Sequence, residues 1–209
     1  MKPNAVGVHI FAGGFSLGVE RHFTVEAHLE AGPFGVATWS HNRPGVPVLV
    51  DRGRVWAEAG RYRGVDLVYG NPPCSGFSLL NVHGRGPHSP INDCIAEVVA
   101  VGHRLAAKFI VVESVSQMLR SGYHLMHELW ERVRDEYPCT TWLLVNAYNH
   151  GVCQWRPRLF WVLSRESIPF HLEVRELPPL LEALADLPAG VPNQEPLEDL
   201  LNREDVACL

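Results

Sequence analysis

The 209-residue chain lacks the features of several protein classes. No apolar run approaches the roughly 18–20 residues that a membrane-spanning helix needs, and the N-terminal residues Met1–Asn4 lack the apolar stretch of a secretory signal. Its five cysteines are an odd number with no Cys-x-x-Cys pair, which argues against a disulfide framework and a cysteine-rich zinc site. We therefore expect a cytoplasmic protein in a reducing compartment, with no membrane partner and no bound metal.

Positive charge is also scarce, with 18 Lys and Arg against 23 Asp and Glu and a net charge of −5. Proteins that bind DNA usually present a basic face. The acidity is concentrated, however, because residues 165–209 hold ten acidic side chains and three arginines, which leaves a net charge of +2 on residues 1–164. We expect one main domain over residues 1–165, a short helical extension over 166–188 and an acidic, weakly structured tail over 189–209.

Short apolar or β-branched runs alternate with longer stretches compatible with helices. This alternation predicts an α/β, doubly wound, Rossmann-like fold with a mostly parallel sheet. The predicted strands are Val6–Phe11, Phe23–His28, Val46–Val50, Val65–Tyr69, Phe109–Glu113, Thr141–Ala147 and Leu159–Ser164. The predicted helices are Phe34–Ser40, Asn92–Ala107, Tyr123–Tyr137 and a short one over Pro179–Leu187.

Cys74 follows one of these strands directly, in the segment Asn71-Pro72-Pro73-Cys74. The two prolines stiffen the backbone there, and open α/β sheets bind ligands at the carboxyl ends of their strands. Cys74 is therefore a candidate nucleophile, although free cysteines are often buried small hydrophobes and a Pro-Pro turn is an ordinary loop device.

A glycine turn, Gly13-Gly14, follows the first predicted strand and precedes a short helical stretch. Glycine lets a ligand approach the backbone closely, so the turn is a candidate binding site for a cofactor. It could equally be a structural turn without a ligand.

Four segments occur in a characteristic order: Phe11-Ala12-Gly13-Gly14-Phe15, Pro73-Cys74-Ser75-Gly76-Phe77-Ser78, Glu113-Ser114-Val115 and Gln154-Trp155-Arg156-Pro157-Arg158. In this order the chain resembles the DNA cytosine-5 methyltransferase family over about residues 5–188. The resemblance implies that residues 1–165 are a catalytic domain of the S-adenosylmethionine-dependent methyltransferase fold. It implies transfer of a methyl group from S-adenosyl-L-methionine to carbon 5 of cytosine in DNA, in a bacterial restriction-modification or phage-type setting. Cytosine in RNA, or a non-catalytic homologue that binds nucleic acid or a partner, are the alternatives.

The chain departs from the family pattern in three places. The glycine turn is shorter by about two positions, Ser114 stands where the family has asparagine, and the target-recognition region and closing motifs of the family are absent. We therefore expect that a second chain supplies target recognition, that the protein works without it, or that the sequence is a fragment.

The resemblance implies a role in cofactor binding for one set of residues: Phe11, Gly13, Gly14, Asn71, Pro72, Glu30 and Asp51. In this set Glu30 would contact the ribose hydroxyls and Asp51 the adenine amino group. Each carboxylate could instead be a solvated surface charge.

The resemblance also implies a catalytic role for Cys74, Glu113, Arg156 and Arg158. The Cys74 thiolate would attack carbon 6 of the base, and Glu113, at the end of a buried run, would protonate ring nitrogen 3. The alternatives are that Glu113 caps a strand end and that the arginines form an exposed basic pair. Substrate contacts are implied for Pro73, Ser75, Ser78 and Gln154, and the polar loop Ser78–Pro90 would close over the base.

Overall fold

Seven β-branched and apolar segments pair into one sheet in a computed structural model that describes residues 2–30, 32–50, 60–77, 86 and 89–178. The strands are β1 (Asn4–Val8), β2 (Thr24–Leu29), β3 (Val48–Leu49), β4 (Leu67–Gly70), β5 (Phe109–Val115), β6 (Cys139–Asn146) and β7 (Pro157–Ser164). Their order in the sheet is β3-β2-β1-β4-β5-β7-β6. Strands β1 to β5 are parallel to one another, whereas β7 is antiparallel to both β5 and β6.

Five described α-helices connect these strands. They are α1 (Gly14–Val19), α2 (Pro33–Asn42), α3 (Asp93–Arg104), α4 (Met118–Ser121) and α5 (Tyr123–Glu131), with single 3-10 turns at Pro90–Asn92 and Ala147–Asn149. The longest helix, α3, has Asp93 in its first turn and His103 and Arg104 in its last turn. This charge arrangement complements the helix dipole. None of the described helices combines the length and apolar content that a bilayer crossing needs.

Both faces of the sheet carry a buried apolar layer. On one face α3 packs against β4 and β5, so closely that a Cβ added at Gly102 would lie 2.5 Å from Ile110 Cδ1. This cluster includes Val98, Ile110 and Met126, all fully buried. The other face buries a smaller cluster with Ile10, Trp39 and Tyr69. Helical cover on both faces explains why the central strands are apolar throughout rather than alternating.

The structure confirms the predicted fold class and all seven predicted strands. The first strand ends at Val8 instead of Phe11, because His9 and Phe11 both adopt positive φ values of 55° and leave the extended conformation. The short helix α4 was not predicted, and the helix predicted to run to Tyr137 ends at Glu131. Most of the loop 78–90, the helix 179–187 and the tail 189–209 lie outside the described residues, so the division into domain, extension and tail stays a prediction.

Candidate active site

The carboxyl ends of β1, β4 and β5 open onto one cavity of about 510 Å³. It is lined by six of the predicted site residues, namely Phe11, Gly14, Asn71, Glu113, Arg156 and Arg158. The parallel strands bring the first four together, because their ends meet at the same edge of the sheet. The antiparallel strand β7 begins at this edge and brings the two arginines. The fold therefore joins segments that lie far apart in the sequence.

Glu113 is the buried acid of this cavity, with only 8% of its surface exposed. Its Oε1 lies 2.9 Å from Arg158 Nε, and its Oε2 accepts a hydrogen bond from Asn71 Nδ2. Burial raises the pKa of Glu113, and the positive charges of Arg158 and Arg156 offset that rise only in part. The carboxyl group thus keeps its proton at higher pH than an ordinary glutamate.

The two arginines differ in their surroundings. Arg158 is opposite Val115 in the β5–β7 pairing, diagonal to Glu113, and its side chain is only 24% exposed. Arg156 is exposed, and its backbone N donates to Asn146 Oδ1 at 2.9 Å. The neighbouring Gln154 is exposed and is not among the described residues that line the cavity. The alternative that the two arginines are an exposed basic pair therefore agrees with the position of Arg156 but not with that of Arg158.

Cys74 comes three residues after the lining residue Asn71 and is half-buried. It is not among the described lining residues. The loop that carries it is anchored by Phe77, whose backbone N donates to Cys74 O at 3.0 Å and whose ring is 2% exposed. Next to Cys74, Pro73 is exposed and Ser75 is half-buried, whereas Pro72 is buried.

The glycine turn has two positions with opposite requirements. Gly13 has a φ of 85°, and a Cβ there would lie 2.5 Å from Arg43 Nη1. Arg43 forms an ion pair with Glu20, with 2.5 Å between Arg43 Nε and Glu20 Oε1. Its guanidinium group also lies over the ring of Trp39. A Cβ added at Gly14 would meet no atom within 4 Å, and this residue lines the cavity. Gly13 therefore shapes the turn, while Gly14 leaves space beside it.

Glu30 points into the protein interior. Its Oε2 accepts a hydrogen bond from Phe11 N at 2.9 Å and its Oε1 one from Gly32 N at 3.2 Å. Its carboxylate also lies 3.8 Å from His9 Nδ1 and 3.5 Å from His28 Nε2. Glu30 is not among the described residues that line the cavity, and its expected ribose contact stays a prediction. Asp51 and Ser78 lie outside the described residues.

Sequence reasoning missed the buried charge network around His9. His9 is 5% exposed, and its Nε2 lies 2.7 Å from Glu97 Oε2 on α3. Burial alone would lower the pKa of His9, but Glu30 and Glu97 outweigh it and raise the pKa to about 9. Burial holds the pKa of His28 below its usual value, and nearby Glu30 offsets this only in part. His9 is therefore a buried cation between two carboxylates.

Part of this network had a signal in the sequence. His9 lies in the last half of the predicted strand Val6–Phe11, Glu30 comes two residues after the predicted strand Phe23–His28, and β1 and β2 are adjacent parallel strands. Their proximity could have been inferred from that arrangement. Glu97 had no such signal, because its contact with His9 depends on how α3 packs against the sheet.

Known proteins resemble this chain over most of its length. Residues 8–203 match the family model described as C-5 cytosine-specific DNA methylase. The type II methyltransferase M.XorII of Xanthomonas oryzae pv. oryzae is 30% identical over 95% of this chain and 49% of its own. The type II methyltransferase M1.HphI of Haemophilus parahaemolyticus is 32% identical over 75% of this chain and 44% of its own. The chain thus spans about half the length of these curated relatives.

Solved structures share the fold. A protein of an E. coli prophage, described as a DNA modification methyltransferase, superposes with a TM-score of 0.73 at 20% identity, over 91% of this chain and 56% of its own. The Entamoeba histolytica methyltransferase EhMeth gives a TM-score of 0.65 at 12% identity, over 85% of this chain and 58% of its own. At these identities the likeness extends to the fold alone.

The two glycines of the turn predict different substitution costs. Gly13→Ala should destabilise the protein by about 1–2 kcal/mol or more, because a side chain disfavours the left-handed conformation and meets Arg43. Gly14→Ala, the matched control, should change the free energy of unfolding by less than about 0.5 kcal/mol. Urea denaturation measures both. Equal losses would contradict the assigned conformations.

The buried His9 cation predicts a pH-dependent stability. Its folded pKa of about 9 lies above the unfolded value, so its contribution is complete below about pH 6.5 and is lost as the pH rises towards 9. His9→Gln should therefore cost on the order of 3 kcal/mol near pH 6 and much less near pH 9.5. Urea denaturation across this range measures the difference.

The exposed His103 on α3 provides the control, since its pair with Glu136 is at the surface. His103→Gln should leave the stability almost unchanged at every pH. A constant stability difference between wild type and His9→Gln from pH 6 to 9.5 would contradict the buried cation.

Proposed function

Because the chain belongs to the C-5 cytosine-specific DNA methylase family, we propose that it transfers a methyl group from S-adenosyl-L-methionine to carbon 5 of cytosine in DNA. The proposal is supported above all by the cavity that joins the glycine turn to Glu113, Arg156 and Arg158, with Cys74 on the segment that follows the lining residue Asn71. The glycine turn, which is the candidate binding site for the cofactor, and the acid Glu113 line the same cavity. The family model that matches residues 8–203, described as C-5 cytosine-specific DNA methylase, favours DNA over RNA.

The described residues fit the cofactor in part. The cavity of about 510 Å³ lies within the ordinary range of ligand sites, and Gly14 leaves the backbone of the turn open towards it. Phe11, Gly14 and Asn71 would hold the cofactor at this end. Glu30 would support the turn through its bond to Phe11 N. When bound, S-adenosyl-L-methionine supplies an electrophilic methyl group on a sulfonium.

Cys74 is proposed as the nucleophile. Its thiolate forms a bond to carbon 6 of cytosine, the electrons of the 5,6 double bond move into the ring, and carbon 5 becomes nucleophilic. After carbon 5 has been methylated, loss of its proton restores the double bond and breaks the sulfur-carbon bond. Pro72 and Pro73 stiffen the backbone that carries the thiol. Ser75, Ser78 and Gln154 are proposed to contact the substrate.

Glu113 is proposed as the acid that serves this addition. The attack shifts negative charge towards ring nitrogen 3, and a buried carboxyl with a raised pKa can donate a proton there. Asn71 and Arg158 orient the carboxyl group from two sides. The exposed Arg156 adds positive charge at the cavity, which suits a phosphate of the DNA.

Two further expectations stay predictions. One is a second chain that supplies target recognition, and the other is a cytoplasmic location in a bacterial or phage-infected cell. The cofactor contact of Asp51 is likewise a prediction on a residue outside the described ranges.

A trapping experiment tests the nucleophile. We expect the protein to form a covalent adduct with a DNA duplex that contains 5-fluorocytosine, in the presence of S-adenosyl-L-methionine, because fluorine at carbon 5 cannot leave as a proton does. Denaturing electrophoresis and intact mass measure the adduct. Cys74→Ser should abolish it, whereas Cys139→Ser, which alters another half-buried thiol, should not. An adduct that survives Cys74→Ser would remove Cys74 from this role.

The acid has a kinetic signature. Glu113→Gln should slow methyl transfer by roughly 100-fold or more, since general acid catalysis contributes about that much. In the wild type the rate should fall as Glu113 loses its proton, at a pH above the ordinary range of glutamate. This alkaline limb should be missing from Glu113→Gln. Radiolabelled methyl incorporation between pH 5 and 9 measures both effects.

The exposed Glu128 on α5 offers a matched control. Glu128→Gln should retain the wild-type rate and pH profile. A normal rate in Glu113→Gln would exclude the proposed proton transfer.

A further inference from the structure

An aromatic pair lies at the rim of the cavity and has no part in the proposed chemistry. Trp155 is 75% exposed and Tyr148 is 43% exposed. Their ring centroids are 6.0 Å apart with an angle of 51° between the planes. Large aromatic surface left in water forgoes the free energy of burial, and such surface commonly marks a binding site.

The pair is continuous with the candidate active site. Trp155 directly precedes Arg156, and Tyr148 directly follows Ala147. Arg156 and Ala147 both line the cavity that contains Glu113. The two rings therefore belong to segments that border the cavity.

Hydrogen bonds join the two backbone segments that carry the rings. Asn146 Oδ1 accepts hydrogen bonds from Tyr148 N at 3.2 Å and from Arg156 N at 2.9 Å. Ala147 N donates to Arg156 O at 3.1 Å, and Asn146 pairs with Pro157 at the end of the β6–β7 ladder. One amide side chain thus joins the turn that carries Tyr148 to the segment that carries Trp155. Such preorganisation reduces the entropic cost of binding.

We infer that Trp155 and Tyr148 form a stacking platform for an unpaired nucleobase of DNA opened around the target cytosine. This inference rests on the proposed function. Every nucleobase has an aromatic face that stacks on tryptophan or tyrosine, and the attached phosphates need a cation nearby. Arg156 supplies that cation beside Trp155. When the target cytosine rotates out of the duplex, the bases that were next to it and opposite it lose their stacking partner.

A protein segment is the competing occupant of the platform. Residues up to 178 return to this rim, where Cys153 Sγ donates to Pro178 O at 3.3 Å, and Val152 is 47% exposed. The adjoining arginine and the continuity with the cavity favour DNA over an apolar polypeptide. If DNA occupies the platform, replacing Trp155 changes the affinity for DNA. If a protein segment occupies it, the replacement changes the elution volume of the DNA-free protein.

DNA affinity tests the platform. The probe is a fluorescein-labelled duplex with one C·A mismatch, bound to the full chain and followed by anisotropy. Trp155→Ala should weaken binding by roughly tenfold, as expected for the loss of one stacked base. Trp155→Phe should restore most of the affinity. The salt dependence of binding should not change, because no phosphate contact is lost.

Trp142 provides a matched control. It is 38% exposed and paired with a tyrosine, Tyr123, at 6.0 Å, but it lies on β6 and does not line the cavity. Trp142→Ala should leave the affinity unchanged. Stacking should also quench tryptophan fluorescence when DNA is added to the wild type, and Trp155→Phe should remove that quenching while still binding DNA.

Three results would overturn the platform: unchanged affinity in Trp155→Ala, quenching that persists in Trp155→Phe, or a wild-type protein that binds no DNA. A fourth is a changed elution volume of DNA-free Trp155→Ala in size exclusion, which would indicate that protein covers the pair. The 5-fluorocytosine adduct separates the two proposals. An adduct with no effect of Trp155→Ala rejects the platform alone, whereas a Trp155 response without any adduct rejects the proposed reaction alone.

Discussion

The antiparallel pairing of β7 with β5 is the constraint on which the candidate site depends. β5 carries Glu113 to the edge where parallel strands end, and β7 begins at that edge because it runs in the opposite direction. The register sets Arg158 against Val115, diagonal to Glu113, and the two charged groups meet at 2.9 Å. A shift of one residue would turn Arg158 to the other face of the sheet. The buried carboxyl group would then lose its cation.

Two opposing effects act on the protonation of the Glu113 carboxyl group. Burial favours the protonated form of Glu113, and the arginine charges favour the ionised form. Because burial outweighs the charges, the group can hold a proton and release it during a reaction. Asn71 adds a third contact from the end of β4. Three neighbouring strands therefore determine the properties of one acid.

The His9 network shows a different use of buried charge. His9, Glu30 and Glu97 come from the ends of β1 and β2 and from α3, so their contacts join the glycine turn to the helix that covers one face of the sheet. Removing one partner would leave an uncompensated charge in the interior. Glu30 belongs to this network and accepts a bond from Phe11 N, which makes it a support of the turn in this arrangement. The aromatic pair of Trp155 and Tyr148 contrasts with this network, because both rings are exposed and each has the other as its aromatic neighbour.

Local sequence patterns were enough to predict the fold class, the seven strands and the edge of the sheet where the site lies. The spacing of apolar residues, the β-branched residues and the turn residues are local properties of the sequence. The carboxyl ends of parallel strands must lie at the same edge of a sheet. For that reason Phe11, Gly14, Asn71 and Glu113 could be predicted to meet, whereas Arg156 and Arg158 were predicted to join them only from the family resemblance. Only the folded protein shows that Glu30 is buried, that Glu97 contacts His9 and that Trp155 lies next to Tyr148. These contacts depend on helix packing and strand register, which bring together residues that no local pattern relates.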